Sequence, residues 1–233
     1  MPSLLSSSFG IKQLTMIPYY VSVGIGYSIV IASVIGLIRF NKVLPSYRPF
    51  IIILFLGLIN HTLSVIFNET IKNNSANSNL YVLLESLLYL LLFKNWGAFT
   101  KKDTLFYSLF IFLTGLWIYD NLIWHSLSTT NSLFRIVSSF ILIFLSIGQL
   151  NKLIVTAKKN LFYNAIFLIC CGLIIYFSYK AIIEVFFFIR LPASEQFQIK
   201  IFIILVFVNL FVNLIFAWAV LWIPKKQKST LLL

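Results

Sequence analysis

The most constraining feature of the chain is the segment from Leu161 to Arg190, about thirty residues that are apolar almost throughout. A helix that is hydrophobic on every face and longer than about 20 residues is typical of a membrane span. Two ionisable residues, Lys180 and Glu184, interrupt this segment. They are four positions apart, so on a helix they share one face and can pair with each other. Ionisable residues inside a span indicate a functional site.

Comparable apolar segments recur along the chain and predict an all-α, polytopic membrane protein with one seven-transmembrane-helix bundle as its single domain. Composition agrees, because 60% of the residues are hydrophobic and only 10% are charged, against roughly 25% charged in soluble domains. The first apolar run is too long for the core of a signal peptide, so we expect it to be retained. We place the spans at 17–38, 49–67, 80–96, 104–124, 133–154, 161–188 and 199–223.

Basic residues alternate between the two sides of these spans, which predicts the orientation. The loops after spans one, three, five and seven hold most of them, and such loops face the cytoplasm. The amino terminus is then outside and the carboxyl terminus cytoplasmic. The net charge of +12 is explained by this topology, so we predict no nucleic-acid partner. The residues concerned are Arg39, Lys42, Arg48, Lys101, Lys102, Lys158, Lys159, Lys225, Lys226 and Lys228.

With this orientation, ionisable residues from five spans fall in the outer third of the bundle. Rise along a helix places Glu85 and His61 roughly 8 to 9 Å, and Lys180 roughly 10 Å, from the outer helix ends. One interpretation is a polar cavity that binds a small polar or zwitterionic ligand from outside. The other is a set of separate boundary residues that snorkel to the interface. The predicted ligand-binding residues are Asn60, His61, Glu85, Asp120, Arg135, Tyr179, Lys180 and Glu184.

Small residues recur at every fourth position of span one, at Gly24, Ser28, Ala32 and Gly36. Such a stripe allows close approach of a second helix. The partner helix is either a neighbouring span of the same chain or span one of a second copy in a homodimer.

Several classes of function lack their signatures. Cys170 and Cys171 are adjacent and cannot easily bridge, and only His61 and His125 are available as histidine ligands, so we predict no metal site. No lysine lies inside the last span for a retinal linkage, and no cofactor is predicted. No nucleophile elbow or phosphate loop occurs, which argues against an enzyme. No proline interrupts a span, so we expect unbroken helices, whereas alternating-access transporters commonly use broken ones.

The segments NSNLYVLLESLLYLLLF and LFYNAIFLICCGLIIYFSY resemble short seven-span proteins of Bacteroidota-type bacteria. The resemblance covers about spans two to seven and implies a location in the bacterial inner membrane, with no particular activity.

Three hypotheses on function remain open. The first is a receptor or sensor-like protein that binds a small ligand on the outer side and needs a membrane or cytoplasmic protein partner, met through its basic inner face. The second is a small-solute or ion transporter that uses the same polar residues. The third is a non-catalytic membrane subunit of a larger complex. In all three the lipid bilayer surrounds the protein.

Overall fold

The computed structural model describes residues 19–99, 103–156, 161–189 and 194–226. Within these residues the fold is helical, and the only extended pairing is a single antiparallel bridge between Val43 and Lys225. Some sequence predictions fall outside the described residues, namely those on 17 and 18 in span one and on Lys101, Lys102, Lys158, Lys159 and Lys228.

Eight α-helices follow one another in the described residues. Seven segments are long and apolar enough to cross a membrane, which confirms the predicted all-helical bundle of candidate transmembrane helices. The first segment comprises two helices, and each of the others is built on one. The helices are α1 (Tyr19–Gly26), α2 (Ile29–Arg39), α3 (Arg48–Thr70), α4 (Ser75–Asn95), α5 (Asp103–Ile118), α6 (Leu133–Thr156), α7 (Ala165–Ile189) and α8 (Glu195–Trp222).

Helix α7 packs most extensively against α6 and α8. Helices α3 and α4 form the next antiparallel pair, and α2 packs against both α3 and α8. Two residues of the small-residue stripe, Ala32 and Gly36, are buried within the chain. A Cβ at Gly36 would lie only 3.0 Å from the side chain of Ile51, so glycine permits the close approach of α2 to α3. A homodimer through span one stays a prediction.

Span one is interrupted, contrary to the prediction of unbroken helices. Helix α1 ends at Gly26, two turn residues follow, and α2 begins at Ile29. No proline is needed because Tyr27 and Ser28 donate to carbonyls three residues back, at Gly24 and Ile25. A second irregularity closes span four, where residues 119–124 form a π-helical turn after α5. The N–H of Tyr27 also donates to the carbonyl of Val23, so the first irregularity is a tightened turn whose backbone stays paired. π-turns such as the second are frequent at functional sites.

The bundle has two chemically different ends. We call the end at which α3, α5 and α7 finish and α4, α6 and α8 begin the polar end, and the opposite end the basic end. Helix α4 begins five residues earlier than predicted, at Ser75, so Glu85 lies about ten residues, or roughly 15 Å, along it. Lys180 lies about nine residues, or roughly 14 Å, from the end of α7. Both residues are therefore deeper than the sequence predicted.

Candidate functional site: a charge cluster between α4, α6 and α7

The deepest ionic contact joins α7 to α4. The Nζ atom of Lys180 lies 3.2 Å from Oε2 of Glu85, and the two side chains are 12% and 4% exposed. The other carboxylate oxygen of Glu85 accepts a hydrogen bond of 3.1 Å from the hydroxyl of Tyr81. The rings of Tyr176 and Phe177 have centroids 5.2 and 5.4 Å from Nζ, at cation–π distance. Both charges are thus compensated although they are removed from water.

A second ion pair joins α7 to α6. Nη1 of Arg135 lies 3.5 Å from Oε1 of Glu184, whose Oε2 accepts a 2.7 Å hydrogen bond from the Ser132 hydroxyl. Nη2 of Arg135 donates to Ser78 at 2.8 Å and to Asn79 at 2.9 Å, both on α4. The Nε atom of Arg135 is buried and has no hydrogen-bond partner among the described residues. An unused donor in such a place is costly and marks a group with capacity for a further acceptor.

These two pairs meet on one face of α7. We call Glu85, Arg135, Lys180 and Glu184 the charge cluster. It contains two basic and two acidic groups, so it is neutral as a whole. Their spacing allows Lys180 and Glu184 to pair with each other, but each of them pairs with a residue of another helix. The interhelical pairs form because α4 presents a carboxylate at the level of Lys180, and α6 presents a guanidinium at the level of Glu184.

Asn79 organises the surroundings of the charge cluster and was not predicted from the sequence. Its side-chain amide donates to the carbonyls of Leu127 at 3.1 Å and Thr129 at 2.8 Å, while its oxygen accepts from Arg135. Its backbone carbonyl accepts a 2.9 Å hydrogen bond from Nε1 of Trp117. One asparagine therefore connects α4 to α5, to α6 and to the loop before α6. Asn79 lies in the polar stretch SANSN, whose composition is typical of a loop. The sequence therefore offers no reason to expect it to connect helices.

Asp120 lies at the polar end but contacts none of the charge cluster. It is fully buried, and its Oδ2 accepts a 2.8 Å hydrogen bond from the backbone N–H of Phe134 near the start of α6. Its Oδ1 lies 3.2 Å from Nδ1 of His125. The carboxylate thus satisfies an amide in the first turn of α6, where negative charge is favourable. The π-helical turn places Asp120 in this position.

His61 and Asn60 also lie apart from the charge cluster. Nε2 of His61 lies 3.2 Å from the carbonyl oxygen of Val23, and its ring meets Tyr27 edge-on with centroids 4.6 Å apart. A Cβ at Gly26 would overlap the His61 ring, so only glycine admits the imidazole there. Asn60 accepts a hydrogen bond of 2.9 Å from the Asn77 amide. His61 thus contacts Val23 and Tyr27 of span one, and no contact with Glu85 or Lys180 is found among the described residues.

The interruption of span one is held by α3 and α8 together. His61 of α3 binds the carbonyl of Val23, and the amide of Asn213 on α8 donates to the Ser28 hydroxyl at 2.8 Å. Tyr179, another predicted site residue, donates from α7 to the carbonyl of Ile201 on α8 at 3.0 Å. These contacts hold neighbouring spans together but do not reach the charge cluster.

The charge cluster is closed in this arrangement. Two grooves on the bundle lie elsewhere: one of about 480 Å³ between α6 and α7, with Phe140, Phe144 and Ile182 in its wall, and one of about 350 Å³ beside Gln149. The carboxylates of the cluster are less than a tenth exposed. A ligand can therefore reach these groups only if the ion pairs exchange partners or the helices move.

Comparison of the chain with protein-family models, with curated proteins and with solved structures finds no match. Function is therefore inferred from the charge cluster and its geometry.

Proposed function

We propose that the chain is a multi-pass receptor-like protein of a bacterial inner membrane, with its amino terminus outside. The orientation is supported by the basic residues in the loops at the basic end, which the positive-inside rule assigns to the cytoplasm. The polar end then faces outward, and the charge cluster lies in the outer half of the bundle.

The ligand in this proposal is a small zwitterion, such as an amino acid, that enters from the outer side. The single observation that supports it is the pair of interhelical ion pairs that share α7, Lys180–Glu85 and Glu184–Arg135. Lys180 and Glu184 are one helical turn apart, so they can pair with each other instead. That exchange frees a carboxylate on α4 and a guanidinium on α6. The freed carboxylate of Glu85 can bind the ammonium group of the ligand, and the freed guanidinium of Arg135 can bind its carboxylate.

The exchange supplies a physical basis for a response. In the closed state α7 is held to α4 and α6 by opposite charges, and in the ligand-bound state those contacts pass through the ligand. A ligand shifts such an equilibrium only by its difference in affinity for the two states. Here the difference arises because Glu85 and Arg135 are available to the ligand in one state alone. The movement of α7 is the signal, which a protein partner receives.

The presence of two buried ion pairs also argues that these residues have a functional role and do not serve stability alone. Removing charges from water costs several kcal/mol per ion, and well-packed apolar residues commonly stabilise a protein equally well. In a membrane, ionisable groups inside a bundle mark ligand or ion sites.

The test uses a charge-exchanged variant, Glu85→Lys/Lys180→Glu, in the purified protein. This variant keeps an ion pair between α4 and α7, so the closed state survives. It cannot form the ligand-bound state, because positions 180 and 184 would both be acidic and position 85 would repel an ammonium. We expect a panel of the twenty amino acids to include members that raise the melting temperature of the wild type but not of the variant.

The control is His61→Ala, which removes a predicted site residue that lies outside the charge cluster. It should retain the ligand-induced shift. Stabilisation of the charge-exchanged variant by the same amino acids, to the same extent, would contradict the proposal. If no amino acid stabilises the wild type, the ion pairs are packing devices of a membrane subunit.

A second candidate function, transport of a small solute or ion, is favoured by the interruption of span one. Broken helices often surround the substrate site of secondary transporters, and here His61 and Asn213 hold the broken segment. Uptake of labelled amino acids or monovalent cations into proteoliposomes tests this function. Loss of uptake in Asn213→Leu and His61→Ala, with ligand-induced stabilisation retained, would assign transport to that break.

A further inference from the structure

The basic end carries a surface that is independent of the charge cluster and of the proposed function. The loop between α2 and α3 and the segment after α8 form the short antiparallel bridge. The backbone N–H of Leu44 donates to the carbonyl of Pro224 at 3.1 Å, and that of Lys226 donates to the carbonyl of Lys42 at 2.7 Å. The bridge gathers Lys42, Lys225 and Lys226, and all three side chains are exposed.

The two arginines beside this bridge have different roles. Arg39 donates from both terminal nitrogens to carbonyls at the end of α8, those of Val220 and Ile223, so its donors serve the protein. Arg48 lies with its guanidinium carbon 5.5 Å from the centre of the Phe40 ring. It donates no hydrogen bond to any described residue, and its Nε atom is buried without a partner. The Arg48 guanidinium is therefore held against the Phe40 ring, and its N–H groups have no acceptor among the described residues.

No carboxylate of the described residues compensates these charges. The ion pairs found there, Lys180–Glu85 and Arg135–Glu184, and the contact between His125 and Asp120 all lie at the polar end. Three lysines gathered by the bridge, and Arg48 at the start of α3 on the same end of the bundle, thus have no acidic partner among the described residues. Like charges so arranged favour an anion.

Aromatic residues show at which level of the membrane this surface lies. Trp218 and Trp222 at the end of α8 are exposed, and the Trp222 ring lies 4.6 Å from that of Tyr163. Tryptophan and tyrosine accumulate where hydrocarbon meets headgroups. The bridge follows α8 directly, so its lysines are at headgroup level. A lipid is therefore favoured over a soluble acidic protein as the source of negative charge.

We propose that Lys42, Arg48, Lys225 and Lys226 bind the phosphate-bearing headgroup of an anionic phospholipid. The planar guanidinium of Arg48 provides paired donors that fit phosphate oxygens, and the lysines supply charge around it. We call these four residues the headgroup site. The site does not depend on which side of the membrane the basic end faces.

The experiment measures lipid binding to the full chain by native mass spectrometry and by thermal stabilisation in neutral detergent. The probes are phosphatidylglycerol, phosphatidylcholine with the same acyl chains, and inorganic phosphate. Phosphatidylglycerol should bind about a hundredfold more tightly than phosphatidylcholine, because each of the three lysines contributes about fivefold. Inorganic phosphate should neither stabilise the protein nor compete at equal concentration. Competition by inorganic phosphate would identify a free-anion site and overturn the lipid assignment.

The variants separate the headgroup site from general charge. Lys225→Gln should weaken phosphatidylglycerol binding about fivefold, and the triple variant Lys42→Gln/Lys225→Gln/Lys226→Gln about a hundredfold. The matched control Lys94→Gln removes one charge at the same end, where that lysine stacks on Phe106, and should change binding less than twofold. Equal losses in Lys94→Gln and Lys225→Gln would overturn the proposal.

Arg48→Lys tests the role of the guanidinium, because it retains the charge and removes the paired donors. We expect a loss of about two- to threefold, smaller than that of Arg48→Gln. The circular dichroism spectrum and melting temperature of each variant in neutral detergent show whether it is folded. Undiminished selectivity for phosphatidylglycerol in the folded triple variant would exclude the site.

Discussion

The polar end and the basic end of the bundle use the same residue types in opposite ways. Arg135 and Lys180 at the polar end are buried and paired with carboxylates, whereas Arg48 and Lys226 at the basic end have no acidic partner among the described residues. Asp103, at the start of α5, is the one acidic residue at the basic end. Net charge and charge burial therefore carry separate information: the first indicates topology and lipids, and the second indicates a site.

The difference between the two ends has a simple physical origin. A lysine beside the headgroups keeps its hydration, so it needs no protein partner. A lysine roughly 14 Å along a buried helix has lost most of its water and needs an opposite charge within a few ångströms. The buried basic residues Lys180 and Arg135 are therefore the ones that pair with the carboxylates of Glu85 and Glu184.

Removal of a buried charge at the polar end should destabilise the protein most. Lys180→Met leaves the Glu85 carboxylate buried without its cation and should lower the free energy of unfolding by about 3 kcal/mol. The matched change at the basic end, Lys226→Met, should alter it by less than about 0.5 kcal/mol. The free energies are measured by reversible denaturation in mixed micelles.

The double variant Lys180→Met/Glu85→Met is the control for this prediction. It removes both charges of the pair and should recover at least half of the loss. Equal stability of the two single variants would show that the polar end is as hydrated as the basic end.

The second prediction concerns the uncharged side chain of Asn79, which hydrogen-bonds to Arg135 of the charge cluster. Asn79→Ala removes the acceptor for Arg135 and the donors to Leu127 and Thr129, and should cost about 2 kcal/mol of unfolding free energy. Hydrogen exchange should become faster in the loop before α6. Asn77→Ala, on the same helix but in the network with Asn60, is the control and should leave exchange in that loop unchanged. No change in that loop in Asn79→Ala would contradict the role assigned to Asn79.

A third effect distinguishes the two arginines of the basic end. Arg39→Gln removes the donors to Val220 and Ile223 and should cost about 1 kcal/mol of unfolding free energy. Arg48→Gln in neutral detergent should cost less than about 0.5 kcal/mol, because Arg48 donates to no described residue. The difference should narrow or reverse when phosphatidylglycerol is added, since the lipid stabilises only the protein that retains Arg48. If Arg48→Gln is the more harmful change without lipid, the headgroup site has a structural role that the contacts do not show.

Much of this architecture could be predicted from the sequence because it depends on local composition. An apolar run of about twenty residues must form a helix in a bilayer, and all seven predicted spans correspond to candidate transmembrane helices. The polar residues could be located along each helix for the same reason. Glu85 lies farther from its helix end than predicted because the polar stretch SANSN continues α4 instead of forming a loop.

The partners of those residues could not be predicted, because they depend on how the helices are rotated against one another. Spacing allows Lys180 to pair with Glu184, yet the rotation of α4 brings Glu85 to it. The rotation of α3 likewise turns His61 towards Val23 of span one, where it makes no contact with the charge cluster. The break after Gly26 has a weak signal in the glycines at 24 and 26, which lower helix stability. The absence of proline from a span is therefore not enough to predict an unbroken helix.

The smallest predicted effect asks whether burial or location decides the strength of a charge pair. A third contact between an acidic and a basic side chain, Asp120–His125, lies at the polar end, but the histidine side chain is 38% exposed. If burial decides, His125→Ala should cost no more than about 0.5 kcal/mol of unfolding free energy, and moderate salt should remove most of that cost. Asp120→Ala should cost more, about 1 kcal/mol, because the backbone N–H of Phe134 then loses its acceptor in the first turn of α6. Denaturation of both variants at low and high salt provides the measurement. A cost for His125→Ala that approaches that of Lys180→Met, and that persists in salt, would mean that the whole polar end behaves as one low-dielectric region and that position alone separates it from the basic end.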